Sequence, residues 1–122
     1  HNTVVLQVAL SFGGDPNYEQ HTPRQFPLEQ AAKKGYSPNV SFLLLNGARV
    51  DKYHMKDPSR RTALYSAVEI TKELGRFGHS GYLQVISRLV QAGASTDQVT
   101  VKGVSVLNPR RRKITAALRG EY

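Results

Sequence analysis

FPLEQAAKKGYSPNVSFLLLNGARVD, from Phe26 to Asp51, reads as two short helices back to back followed by a turn. Its second half is one of three segments that align on a Gly-small pair. These are Leu6 to Gly14, Val40 to Ala48 and Ile86 to Ala94. Each carries apolar residues at i, i+3 and i+4: Leu6/Ala9/Leu10, Val40/Leu43/Leu44 and Ile86/Leu89/Val90. That spacing puts all three on one helical face. The glycine then ends the helix, because only Gly enters the left-handed conformation without a Cβ clash. Four residues later stands a short turn-forming polar residue: Asn17, Asp51 or Asp97.

Gly13 and Gly47 are 34 residues apart, and Gly47 and Gly93 are 46 apart. With a period of about 33, the second interval holds an insertion of about a dozen residues. Ahead of two of these helices lies another matched piece. Phe26-Pro27-Leu28 with Ala31-Ala32 aligns with Thr62-Ala63-Leu64 with Ala67-Val68. Thr62 is placed to cap its helix, and Pro27 sits in a first turn, where its missing N–H costs nothing. The small residues at 31, 32 and 67 let neighbouring helices approach closely.

Taken together, these residues resemble the ankyrin repeat family. The likeness rests on the T-P-L-like starts, the Ala-Ala pair, Gly35, the V-x-x-L-L helices and the Gly-Ala-x-x-Asn/Asp turns, over about residues 4 to 97. Phe26 stands where the family has Thr, and Glu29 and Tyr65 stand where it has His. The resemblance implies an all-α solenoid of stacked helix-turn-helix units with projecting connections. A single repeat cannot bury its own apolar face, so stacking makes the unit stable. The expected division is a half repeat over 1–17, a repeat over 18–51, a repeat over 52–97 with the insertion near 71–81, and a degenerate cap or truncated repeat over 98–122. The first segment begins directly with a second-type helix. Either the sequence starts within a longer protein or the first repeat is degenerate.

Taken in order, helices are expected over 3–12, 25–34, 37–46, 62–74 and 81–92. Ser37 should cap the third, with Pro38 as its first residue. Asp15 to Gln25 and Arg49 to Arg61 are polar connections, the first expected to project as a finger. Gly75 to Gly81 is the insertion. Val99, Val101, Val104 and Val106 favour a short hairpin. Asn108, Pro109 and Gly120 then frame a last helix with Ile114, Ala117 and Leu118 as its stripe.

The chain has 122 residues, a net charge of +8 and no cysteine. The lack of cysteine excludes disulfide scaffolds and thiolate metal sites, and fits a cytoplasmic or nuclear protein. No apolar run approaches a membrane span. Residues 98–122 hold +5 of the charge and residues 1–97 only +3. Arg110, Arg111, Arg112 and Lys113 stand in the first turns of the last helix, where the helix dipole disfavours cations by about 0.3–1 kcal/mol each. They are candidate anion-binding residues, matched to carboxylate or phosphate, with a solvated basic face as the plain alternative.

No catalytic constellation appears. There is no H-E-x-x-H and no phosphate-binding glycine loop. Gly78-His79-Ser80-Gly81 fails as a nucleophile elbow because Tyr82 occupies the required second glycine. His1, His21, His54 and His79 are scattered among connections, without metal-ligand spacing. No cofactor and no metal is expected.

The resemblance implies a non-catalytic interaction module that binds protein through connection tips and the faces of the first helices. Mapped onto this chain, the candidates are Tyr18, His21 and Arg24 in the first connection. Tyr53, His54, Lys56, Arg60 and Arg61 follow in the second, and Glu29, Lys33, Tyr65 and Glu69 on the first helices. Tyr and Arg are enriched at binding hot spots. The concentration of basic residues at one end of the chain points to a partner with an acidic surface at that end. The alternative is an electrostatic binder of nucleic acid or anionic lipid through the C-terminal basic segment.

Overall fold

A computed structural model of the chain describes residues 14–21, 24–74, 80–99 and 109–122. Their regular structure is helical: α1 (Pro27–Lys33), α2 (Ser37–Leu45), α3 (Ala63–Glu73), α4 (Ser80–Gln91) and α5 (Pro109–Leu118). The all-α expectation therefore holds. The exception is a minimal antiparallel ladder of two-residue strands, β1 (Gln20–His21) and β2 (Arg24–Gln25), which forms the finger expected before α1. An isolated bridge between Tyr53 and Thr62 closes the next connection in the same way. The expected helix over 3–12, most of the glycine insertion, and the valines at 101, 104 and 106 lie outside the described residues.

The helices pack in two rows. α1 lies against α3, and α3 against α5. α2 lies against α4 in the second row, and α1–α2, α3–α4 and α4–α5 contacts join the rows. The i, i+3, i+4 sets explain this packing. Val40 and Leu43, Ile86 and Leu89, and Ile114 and Ala117 are buried, while the third members Leu44, Val90 and Leu118 pack against them from the edge. Ala31, Ala32, Ala63 and Ala67 are buried as well, and their small size lets α1 and α3 lie close. Each buried Leu, Ile or Val contributes about 1.5–3 kcal/mol.

The glycine punctuation is one motif used four times. Gly35, Gly47, Gly93 and Gly120 all have positive φ. Each donates its N–H to the carbonyl three residues back, and the next residue donates to the carbonyl five back: Tyr36 to Ala31, Ala48 to Leu43, Ala94 to Leu89 and Glu121 to Ala116. This is the Schellman pattern, which satisfies carbonyls the helix end leaves bare.

The turns after Gly47 and Gly93 are tied to one another and to the turn at Asn17. Asn17 Oδ1 accepts the Arg49 N–H at 2.8 Å, and its Nδ2 donates to the Gly47 carbonyl at 2.9 Å. Asp51 Oδ1 repeats the first bond on the Ser95 N–H at 2.9 Å. Asn17 and Asp51, picked out as turn-formers, thus also serve as rungs between one turn and the next.

The helix starts differ from expectation in two places. Thr62 caps α3 as expected, its Oγ1 accepting the Tyr65 N–H at 3.3 Å. The N-cap of α2 is Tyr36, not Ser37, so Pro38 is the second helical residue. Freed from capping, the Ser37 hydroxyl donates to Gln84 Oε1 on α4 at 2.9 Å. Phe26 occupies the N-cap of α1 with no side-chain cap bond, and its ring is buried instead.

At the α1–α2 turn the backbone of α4 comes close. A Cβ on Gly81 would stand 2.7 Å from the Gly35 carbonyl oxygen, so that position takes only glycine without a shift. The Tyr82 ring covers Gly35, and its hydroxyl donates to the Lys33 carbonyl at 2.7 Å.

Candidate functional site: a groove between α1 and α3

α1 and α3 face the same side, and the connection from Arg49 to Arg61 folds over their first turns. Between them lies a groove of about 210 Å³. α1 contributes Glu29 and Lys33 to its lining, one turn apart. Tyr65, Ser66, Glu69, Ile70 and Glu73 come from α3, and His54, Asp57 and Arg61 from the connection. Six candidates from the sequence thus converge on one site: Glu29, Lys33, His54, Arg61, Tyr65 and Glu69.

Two of them are not where an exposed binding residue belongs. His54 is buried, which corrects its assignment to an exposed tip. Its Nδ1 accepts the Lys56 N–H at 3.1 Å and lies 3.6 Å from Glu19 Oε1, so the ring anchors the connection from beneath. Glu29 is buried too, its side chain only 10% exposed, although it was expected on an open helix face. Burial pushes its carboxyl above the ordinary range, against the opposing pull of Lys33.

Asp57 is the organising group that residue types alone did not reveal. Its Oδ1 accepts the Ser59 N–H at 2.9 Å, and its Oδ2 accepts both the N–H and the Nε–H of Arg61 at 3.1 Å. Burial raises its carboxyl, but the three donated bonds outweigh that and hold it below the usual range. The turn so formed places Arg60 at a φ of 52°, the one left-handed non-glycine among the described residues. The Arg60 carbonyl accepts from Gln98 Nε2 at 2.6 Å, and its guanidinium lies 5.6 Å from the centre of the Tyr53 ring.

The connection tips form a second surface. A more open hollow of about 430 Å³ is lined by Glu19, Arg49, Asp51, Lys52, Tyr53 and Met55. Met55, 70% exposed, stands out from it with Tyr53, and Tyr18, next to Glu19 in sequence, is 62% exposed. Glu19 joins the two connections: Oε1 accepts the Met55 N–H at 2.7 Å and Oε2 meets the Lys52 ammonium at 2.9 Å. The Met55 N–H, then Lys52, hold the Glu19 carboxyl below its ordinary value. Lys52 is itself buried, its Nζ 5.6 Å from the centre of the Phe26 ring. Neither Glu19 nor Met55 stood out in the sequence, since their partners lie in a different unit and leave no local pattern.

The remaining candidates lie apart from the groove. His21 and Arg24 are opposite each other in the β1–β2 ladder, Tyr18 precedes it, and Lys56 and Arg60 are exposed on the connection. At the start of α5, Arg112 and Lys113 are exposed and Arg111 is half-buried. The groove's own charge is opposite to that of the chain. Glu29, Asp57, Glu69 and Glu73 are set there against Lys33, Arg61 and the Lys72 that pairs with Glu69 at 2.5 Å, so the groove itself does not call for an acidic partner.

Among the described residues no group of His, Asp and Glu could hold a metal ion, and no helix is long and apolar enough to cross a membrane. Comparisons of the chain with protein-family models, with curated proteins and with solved structures find no match in any of the three.

Proposed function

We propose that this chain is a non-catalytic protein-interaction module of the ankyrin type, which holds a partner along the α1–α3 groove and the adjoining connection tips. The observation that carries the proposal is the convergence on one open groove of side chains from two helices and a connection. Two further features support it. The Schellman turns and the Asn17 and Asp51 rungs repeat at the same place in successive units, as stacked repeats require. Tyr18, Tyr53 and Met55 present apolar area at the tips, where a partner would cover it.

The test is site-specific photo-cross-linking in cell extract, with benzoylphenylalanine at position 69 in the groove, 45 on the other row, or 113 on α5. The expected result is a discrete protein adduct from position 69. It should resist nuclease, be lost with Tyr65→Ala, and be missing from position 45. Adducts from position 113 alone that vanish with nuclease would establish the nucleic-acid alternative instead.

A further inference from the structure

Glu29 is a carboxylate in the wrong surroundings for one. Its side chain is nine-tenths buried in the groove wall, yet among the described residues none donates a hydrogen bond to it. The nearest cation, Lys33 Nζ, is 3.8 Å away, beyond hydrogen-bond distance, and half exposed. A buried carboxylate without donors is costly, and an arriving cationic donor removes that cost.

The neighbouring groups favour such a donor. Arg61 is committed to Asp57 and Lys72 to Glu69, at 2.5 Å, while Glu73 adds a further carboxylate at the mouth. Tyr65 provides an aromatic wall of the kind that attracts cations, and Ile70 an apolar one for a methylene stem. At about 30 Å³ per water, the volume of about 210 Å³ holds several waters or one long side chain.

We propose that the α1–α3 groove is a receptor for one cationic side chain of a protein partner, an ammonium or guanidinium group, with Glu29 as its buried counter-charge. The proposal rests on the interaction reading above and specifies its chemistry. The partner's cation takes the place that Lys33 fills only loosely, and donates directly to the Glu29 carboxylate. Residues 98–122 carry +5 of the net charge of +8, and the groove's own cations, Lys33, Arg61 and Lys72, are each set against a groove carboxylate.

The experiment is a titration of the full chain followed by ¹H–¹⁵N NMR, using n-butylammonium or n-propylguanidinium chloride as probe. Sodium propionate and 1-butanol, at matched ionic strength, are the references. Both cations should shift amides around Glu29, Tyr65 and Glu69 along one saturable curve, and the references should not. A stronger response to one cation identifies lysine or arginine as the side chain recognised. Glu29→Gln should weaken the response about tenfold or more, the size expected for a hydrogen bond to a charged group. It should leave the fold intact, since it removes an uncompensated charge. Lys33→Ala should strengthen the response, which a merely structural role for Glu29 would not predict. Shifts equal to those of the references, or identical curves for wild type and Glu29→Gln, overturn the proposal. If the cations fail while cross-linking from position 69 succeeds, only this inference falls. If the cations bind but no partner is captured, the interaction reading falls and the cation site stands.

Discussion

Replacing Gly81 with alanine sets two effects of opposite sign against each other. In an open helix, Gly→Ala stabilises by up to about 1 kcal/mol, because alanine loses less backbone entropy. At Gly81 the new Cβ would lie 2.7 Å from the Gly35 carbonyl oxygen, where ordinary contact begins at 3.4 Å. The opposing atom belongs to backbone, so no side chain can swing aside. α4 and the α1–α2 turn must separate by about 0.7 Å. That separation also pulls on the Tyr82 hydroxyl bonded to the Lys33 carbonyl. Overpacking of this kind costs about 1–3 kcal/mol, and a strained neutral hydrogen bond adds about 0.5–1 kcal/mol. The net expectation is a loss of about 1–2 kcal/mol, or about 3–8 °C in Tm for a chain of this size. Urea denaturation and calorimetry of Gly81→Ala against wild type measure it directly. An alanine variant more stable than wild type would refute the close approach of α4 to Gly35.

Other substitutions test the remaining contacts. Phe26→Thr introduces a capping side chain worth about 1 kcal/mol but empties a buried aromatic site worth about 3 kcal/mol. A net loss of about 2 kcal/mol in urea melts is expected, and a gain would show that the cap matters more than the ring. Glu19→Gln leaves the buried Lys52 without its counter-charge and should cost about 1–3 kcal/mol. Adding Lys52→Met should recover part of that loss in the same melts, since the uncompensated charge is gone. Asp57→Asn should lower stability near neutral pH by about 1–3 kcal/mol through weakened bonds to Ser59 and Arg61. Because the folded Asp57 carboxyl lies below its unfolded value, its contribution is complete above about pH 4 and disappears as pH falls through the folded value. The variant's stability-versus-pH curve should therefore be flatter on the acid side. Glu29 works in the opposite sense. Its carboxyl is raised by burial, so its contribution grows as pH falls, and Glu29→Gln should steepen the acid loss measured by thermal melts.

The features legible in the sequence were those that recur. Val40/Leu43, Ile86/Leu89 and the glycines at 47 and 93 announce helix faces and helix ends because each obeys a local rule at a fixed spacing. The Ser37 misplacement is of one residue. Ser-Pro fits both capping and first-turn positions, and the choice was made by Gln84, 47 residues away. The groove was half legible, because spacing put Glu29, Lys33, Tyr65 and Glu69 on faces that the resemblance marks as exposed. The burial of Glu29 and His54 was hidden, since it depends on how the connection folds back over α1. That fold is held by Asp57 and by Glu19, whose partners Lys52 and Met55 belong to another unit. Single long-range polar pairs carry no period, and composition cannot reveal them.

The rungs made by Asn17 and Asp51 have a consequence for how this architecture changes over time. Each grips a backbone N–H, at Arg49 or Ser95, and never a side chain. Every residue type except proline offers that same N–H. That bond therefore makes no demand on which amino acid stands on its receiving side, unlike the Glu19–Lys52 pair beside it, which needs both side chains. The connections after Asn17 and Asp51 differ in sequence, yet each turn makes the same bond to the backbone of the next.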